Sequence, residues 1–157
     1  MPEFIRKRTV LIAGFPGVGK TYAYDQLVQE GYLVTDSDSS LFPKDNFPEN
    51  YVSHIVKLMN EEEPLDFIFI STHEEVRNAL TAAGIEYTLV YPGQNMKEVY
   101  MKRYAERGSP QGFLDQMEKK WDQFVESVAM DSQERHIILD SITTHLLMAI
   151  RHVILKI

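Results

Sequence analysis

The clearest chemistry in this sequence lies in eight consecutive residues near its start. Two glycines five positions apart are followed by a lysine and a threonine, and the run reads Gly14-Phe15-Pro16-Gly17-Val18-Gly19-Lys20-Thr21. Glycines let a backbone loop turn its N–H groups inward, and a helix that starts at such a loop adds partial positive charge. We expect all eight residues to bind a nucleoside triphosphate, with Lys20 on the β- and γ-phosphates and Thr21 on a metal ion. ATP and Mg²⁺ are therefore the expected cofactors.

The segments on either side of this run supply the context that the motif requires. The apolar, β-branched segment 9–13 predicts a strand, and segment 22–29, which lacks Gly and Pro, predicts a helix. Gly31 is placed to end that helix. The residues expected on its buried face are Ala23, Tyr24, Leu27 and Val28.

A cluster of short polar residues follows the second predicted strand, 32–35. It reads Asp36-Ser37-Asp38-Ser39-Ser40, and ligands of open α/β sheets bind at the carboxyl ends of strands. Two acids spaced i, i+2 in extended backbone can point the same way, so Asp36 and Asp38 are candidate catalytic residues. Asp38 is also a candidate metal ligand. The alternative interpretation is an Asx-type turn with a helix N-cap, which needs no ligand.

The next segments predict a loop, a helix and an interior strand. Residues 41–48 contain two prolines, and residues 51–60 form a helical pattern that is either part of a flap over an acceptor or plain connecting structure. The residues expected to face inward are Val52, Ile55, Val56 and Met59. The near-continuous apolar run 65–70 is typical of a strand buried on both faces.

Hydroxyl residues, and not an acid, follow that strand. Ser71 and Thr72 each begin an S/T-x-x-E pattern, which predicts a capped helix start, and His73 is expected to be a polar residue beside the cap. Because no Asp is present there, a second metal-binding acid would have to come from Asp36 or Asp38.

Two arginines interrupt the apolar stripe of a helix predicted at about 95–106. Arg103 and Arg107 fall within a stripe that is otherwise Met96, Val99, Tyr100 and Tyr104. Guanidinium groups in that position suggest an anion in a cleft, although long arginine stems that cover apolar surface would give the same pattern. A loop bounded by Gly108 and Gly112 follows, so we expect a small lid at about 95–115.

The remaining segments complete an alternation of strands and helices. Segment 86–91 predicts a fourth strand, 113–128 a long helix and 136–140 a fifth strand, and Asp140 or Ser141 is expected to cap a last helix. Its buried positions would be Ile142, Leu146, Ala149, Ile150 and Val153. The alternation predicts a single three-layer α/β domain over residues 1–157, with a parallel sheet.

Composition limits the partners. The 157 residues carry a net charge of −7, which opposes an extended grip on nucleic acid and favours a small phosphorylated ligand. The chain has no cysteine, no secretory apolar segment and no run of membrane-spanning length, so we expect a cytoplasmic protein without membrane contact.

These motifs together resemble the nucleoside monophosphate kinase superfamily of P-loop kinases. The resemblance rests on the glycine-rich run, on the acidic turn and on segment 102–108, and it covers most of the chain. More narrowly, the chain looks like the small (deoxy)nucleotide monophosphate kinase-like ATP-binding proteins of bacteria and their viruses. The segments that carry this narrower likeness are 14–20, 36–40, 71–76 and 87–92.

The resemblance implies a five-stranded sheet of order 2-3-1-4-5 and phosphoryl transfer from ATP to a nucleoside or deoxynucleoside monophosphate. By position, Lys20 would bridge the phosphates, and Arg103 and Arg107 would neutralise the group in transfer. The acidic pair also looks like that of shikimate-type and polynucleotide 5′-kinases, in which an acid receives the proton of a hydroxyl acceptor. A kinase for a small metabolite or a polynucleotide 5′ end therefore stays open, as does a nucleotide-binding regulator or slow NTPase.

Overall fold

The computed structural model of the protein describes residues 9–37 and 41–157. Its strands are β1 Val10–Gly14, β2 Val34–Asp36, β3 Phe67–Ile70, β4 Thr88–Pro92 and β5 His136–Leu139. They form one parallel sheet in the order β2-β3-β1-β4-β5, with β1 paired to both β3 and β4. The fold class and the strand order expected from the sequence are thus confirmed.

Helices cover both sides of this sheet. They are α1 Lys20–Gln29, α2 Glu49–Met59, α3 Glu74–Ala82, α4 Lys97–Glu106, α5 Gln111–Ala129 and α6 Leu146–Ala149. Two short 3₁₀ turns, Lys44–Asn46 and Gln94–Met96, precede α2 and α4, and α6 continues into a wider π turn, Ile150–Ile154. None of the helices in the described ranges is both long enough and apolar enough to cross a bilayer.

The interior strands are buried along nearly their whole length. All four residues of β3 are inaccessible or nearly so, as are Leu11, Ile12 and Ala13 of β1. Parallel strands covered by helices on both faces have no solvent side, which explains why their sequences lack polar alternation. Aromatic residues of the helices, above all Tyr51, Tyr100, Tyr104 and Trp121, complete the core.

The last helix begins later than its sequence indicates. It starts at Leu146 with His145 as the N-cap residue, so neither Asp140 nor Ser141 caps it. Ile142 and Val153, expected inside, are 69% and 45% exposed. Residues 141–144 instead form a turn, in which the Thr144 N–H donates to the Ser141 carbonyl over 3.2 Å.

Two other local predictions are wrong. The helix after β3 starts at Glu74 with His73 as its N-cap residue, so the S/T-x-x-E patterns at Ser71 and Thr72 do not mark its cap. The outer edges of two helices are less buried than expected, since Val28 and Val56 are 45% and 39% exposed. In both helices the face turned to the sheet is narrower than the apolar stripe of the sequence.

Candidate functional site

The glycine-rich loop, residues 15–19, joins the carboxyl end of β1 to α1. Gly17 and Gly19 have φ angles of +91° and +98°, a region that favours glycine. At Gly17 the space is closed as well, because a Cβ there would stand 3.0 Å from ring carbons of both Tyr100 and Tyr104. Backbone conformation and the close approach of α4 therefore both require glycine at position 17.

Aromatic side chains of α4 and α5 hold this loop in place. The Tyr104 hydroxyl donates to the Pro16 carbonyl over 2.6 Å, and the Phe15 ring meets Trp121 edge to face, with centroids 5.5 Å apart. Tyr104 is fully buried, and this burial raises the pKa of its hydroxyl far above the ordinary value. The hydroxyl therefore keeps its proton, and the loop rests on a permanent donor.

The residues predicted to contact phosphate and metal ion stand at the start of α1. The Lys20 stem lies over Gly14, where a Cβ would be 3.1 Å from Lys20 Cδ, and Thr21 is exposed. Gly19, the N-cap residue, has no side chain with which to bond the first N–H groups of the helix. Since those N–H groups lack intrahelical acceptors, the start of α1 can receive an anion beside Lys20.

The acidic turn lies at the same edge of the sheet, two strands away. Asp36 is the last residue of β2 and is exposed; it stands opposite Phe69 of β3, whose carbonyl accepts the Ser37 N–H over 2.9 Å. Asp38, the other predicted carboxylate, lies outside the described residues. The structure therefore brings Asp36 to the carboxyl edge that also carries the glycine-rich loop.

Two side chains of α2 contact the start of this turn, and the sequence analysis missed both. The Tyr51 hydroxyl donates to the Ser37 carbonyl over 2.7 Å, and His54 Nε2 lies 3.3 Å from Ser37 Oγ. Ser37 is 5% exposed. The available signal was the spacing of Tyr51 and His54, three positions apart on one helix face and each with a polar tip.

Arg103 lies against the glycine-rich loop. Its guanidinium donates to the carbonyls of Gly17 and Ile142, each over 3.1 Å, and stands over the Tyr100 ring, 4.6 Å from the centroid. One side chain thus links the loop, α4 and the turn after β5. Its predicted contact with a phosphoryl group stays a prediction.

Arg107 follows the end of α4 and is exposed. Its Nε donates to Ser109 Oγ over 2.9 Å, and its guanidinium lies over the rings of Tyr104 and Phe113, 4.9 and 5.4 Å from their centroids. In this structure both arginines lie over aromatic rings, as the alternative interpretation of the sequence pattern expects. The lid at 95–115 stays a prediction, and the buried tyrosines of α4 would restrict its moving part to residues 105–112, which are exposed except for the half-buried Ser109.

The segment after β5 also touches the loop. The Leu146 N–H donates to the Val18 carbonyl over 2.8 Å, and the His145 ring meets Tyr22 edge to face at 5.7 Å. Burial, together with the positive charges of Arg103 and Arg151, lowers the pKa of His145, which favours the neutral imidazole. No sequence pattern predicted these contacts, because the predicted helix ran through this segment.

A magnesium ion at this edge of the sheet would need most of its ligands from a bound nucleotide and from water. Within residues 9–37 and 41–157, no group of three or more His, Asp or Glu side chains could hold a metal ion. Protein-bound Mg²⁺ keeps several waters and is held through one or two carboxylates plus substrate phosphates. The Thr21 hydroxyl and the Asp36 carboxylate, at one edge of the sheet, supply donors of the required kind.

Comparison with known proteins supports the fold. No protein-family model matches the chain, and no curated protein sequence is significantly similar to it. Among solved structures, the chain is similar to the tunicamycin resistance protein of Deinococcus radiodurans, with 16% identity, a TM-score of 0.58 and coverage of 92% of this chain and 91% of that one. It is also similar to an uncharacterized protein of Eubacterium ventriosum, with 15% identity, a TM-score of 0.56 and coverage of 95% and 97%. At these identities the likeness establishes the fold alone.

Proposed function

We propose that this protein transfers the γ-phosphoryl group of ATP to a nucleoside or deoxynucleoside monophosphate in the presence of Mg²⁺. The observation that carries the proposal is that the glycine-rich loop and Asp36 share one edge of the sheet. Only β3 separates β1 from β2, so the two strand ends are about 10 Å apart at the usual strand spacing. That gap suits a γ-phosphate and an acceptor phosphate held in line.

The donor half of the site would act by binding the phosphates of ATP and neutralising their negative charge. Backbone N–H groups at the start of α1 and the Lys20 ammonium would bind the β- and γ-phosphates, and the Thr21 hydroxyl would help to hold Mg²⁺. When bound, that ion neutralises negative charge on the phosphates. Arg103 and Arg107 would complete the neutralisation as residues 105–112 close and exclude water.

The acceptor half favours a phosphate but leaves a second candidate. A phosphate oxygen is already a nucleophile at neutral pH, so Asp36 and Asp38 would need only to orient it. The exposed carboxylate of Asp36 also suits a hydroxyl acceptor. The hydroxyl oxygen would then bond to the γ-phosphorus, the bond to the β–γ bridging oxygen would break, and Asp36 or Asp38 would take the proton.

A third candidate has no acceptor at all. Ser71 and Thr72, instead of an acid, follow β3, a departure that fits a nucleotide-binding regulator or a slow NTPase. Tight ATP binding without turnover of any acceptor would favour this candidate over both kinases.

The experiment is a measurement of ATP consumption by the purified protein with Mg²⁺ across a panel of acceptors. The panel contains nucleoside and deoxynucleoside monophosphates, a 5′-hydroxyl oligonucleotide, shikimate-like metabolites and tunicamycin, the last because one structural neighbour is named for resistance to it. The expected result is strong turnover with one monophosphate. Lys20→Ala should abolish this turnover. Lys119→Ala, which replaces an exposed lysine of α5, should keep it. Turnover only with a hydroxyl compound would replace the proposal with the second candidate.

A further inference from the structure

The same two side chains of α2 contact the chain at both Ser37 and Phe42. The Ser37 carbonyl accepts the Tyr51 hydroxyl, and Ser37 Oγ lies 3.3 Å from His54 Nε2. The Phe42 ring stands 5.1 Å from the Tyr51 ring and 5.0 Å from the His54 ring, centroid to centroid. One face of one helix therefore contacts both Ser37, the residue next to Asp36, and Phe42.

A third contact ties the same helix to the chain just beyond. Asn50 Nδ2 donates to the Pro43 carbonyl over 2.9 Å, and Asn50 Oδ1 accepts the Tyr51 N–H over 2.8 Å. The first turn of α2 therefore also holds the chain at Pro43. Of the two side chains that contact Ser37, Tyr51 is fully buried and His54 is half-buried.

These contacts are more specific than packing of a connecting helix would require. A helix that only covers the sheet edge would bury apolar groups there, as Ile55 does. Tyr51 and His54 instead aim polar atoms at the backbone and the hydroxyl of the residue next to Asp36. A hydrogen bond fixes direction as well as distance, so it can orient the neighbouring carboxylate where an apolar contact could not.

We infer that His54, with Tyr51, is a positioning residue that fixes Ser37 and so orients the neighbouring Asp36 carboxylate for the acceptor. The inference rests on the proposed phosphoryl transfer, and it assigns α2 to the acceptor half of the site. His54 acts through Ser37 and does not touch the reacting atoms. Its loss should therefore weaken use of the acceptor and leave use of ATP unchanged.

The test is a steady-state comparison of His54→Ala, His54→Gln, Ser37→Ala and the double variant His54→Ala/Ser37→Ala, with ATP and acceptor varied separately. Loss of the hydrogen bond should raise the acceptor KM about five- to tenfold, with the KM for ATP within about twofold of wild type. Because His54 and Ser37 share one hydrogen bond, the double variant should be no worse than His54→Ala alone. His54→Gln, which can again reach Ser37 Oγ, should recover most of the loss.

The matched control is Ser53→Ala, the same chemical change at an exposed position of α2, which should behave as wild type. Thermal unfolding of each variant distinguishes a change in acceptor use from damage to the fold. If His54→Ala does not fold, Ser37→Ala and His54→Gln still test the inference. Equal rises in both KM values, or an unchanged acceptor KM in Ser37→Ala and His54→Ala, would overturn the inference while the proposed function stands. A wild-type protein that phosphorylates no acceptor would overturn both.

Discussion

The proposed donor end of the candidate site, residues 14–21, and the described part of its proposed acceptor end are stabilised by different means. At the donor end, fully buried rings of α4 and α5 pack against a loop whose conformation only glycine adopts easily. At the acceptor end, one tyrosine hydroxyl and one half-buried histidine hold Ser37, the residue next to Asp36. Large buried contacts resist local opening, whereas a few polar contacts near the surface do not.

This difference suggests that the two ends of the site have different tasks. A triphosphate is common to many kinases, so a donor loop gains from rigidity, which lowers the entropic cost of binding. An acceptor differs from one kinase to another, and small changes in the orientation of Asp36 could select it. The following predictions test whether the two ends can be altered independently, beginning with the largest expected effect.

Gly17→Ala should damage the donor end most. The new Cβ would be strained at φ +91° and would stand 3.0 Å from two buried rings, which together should cost about 2–4 kcal/mol in the free energy of unfolding. Urea unfolding measures this loss, and ATP titration should show weakened binding.

Gly84→Ala is the matched control for that variant. Gly84 also has a positive φ, +74°, but no atom lies within 4 Å of its Cβ position among the residues that the structure describes. Its cost should be about 1 kcal/mol, with ATP binding unchanged. Equal losses in the two variants would mean that contact with α4 does not matter at the loop.

Arg103→Ala should have the next largest effect. It removes two hydrogen bonds from a charged donor to the carbonyls of Gly17 and Ile142, a loss of about 1.5–3 kcal/mol, or roughly ten- to a hundredfold in kcat/KM for ATP. Arg107→Ala, which removes an exposed side chain bonded to Ser109, should lose less. If both variants of an active enzyme kept the wild-type kcat/KM for ATP, the assignment of these arginines to the phosphoryl group in transfer would be wrong.

Tyr104→Phe should give the smallest of these effects. The change removes the hydroxyl that donates to the Pro16 carbonyl and should weaken ATP binding about fivefold, the value of one lost hydrogen bond. The acceptor KM should not change.

Tyr100→Phe provides the contrast for that variant, because the buried Tyr100 hydroxyl makes no hydrogen bond to any described residue. Its removal should be neutral or slightly stabilising, with ATP affinity equal to that of wild type. A common loss of ATP affinity in both tyrosine variants would show that the rings, and not the bond to Pro16, support the loop.

The sequence was informative where local chemistry determines the structure. The eight-residue run predicted a loop between a strand and a helix, as β1 and α1 show, and the buried run 65–70 follows from its place inside a parallel sheet. The strand order came from resemblance, and the structure agrees with it.

Contacts between distant segments were not predictable in the same way. Tyr100 and Tyr104 were expected on the apolar face of their helix, but the spacing of apolar residues does not reveal that this face contacts Gly17. Likewise, His54 and Ser37 are 17 positions apart, and the bond between them depends on how α2 crosses the end of β2. The start of the helix after β5 was predicted wrongly because the apolar spacing already begins at Ile142, before the true helix start at Leu146.

The most direct test of phosphoryl transfer follows the γ-phosphate itself. The wild-type protein, Mg²⁺ and ATP labelled at the γ-phosphate are mixed with the best monophosphate, and the label is located by chromatography. Label recovered in the corresponding diphosphate, and absent from it with Lys20→Ala, is the expected result. Label released only as inorganic phosphate, or label that stays on ATP with every monophosphate tried, would contradict the account.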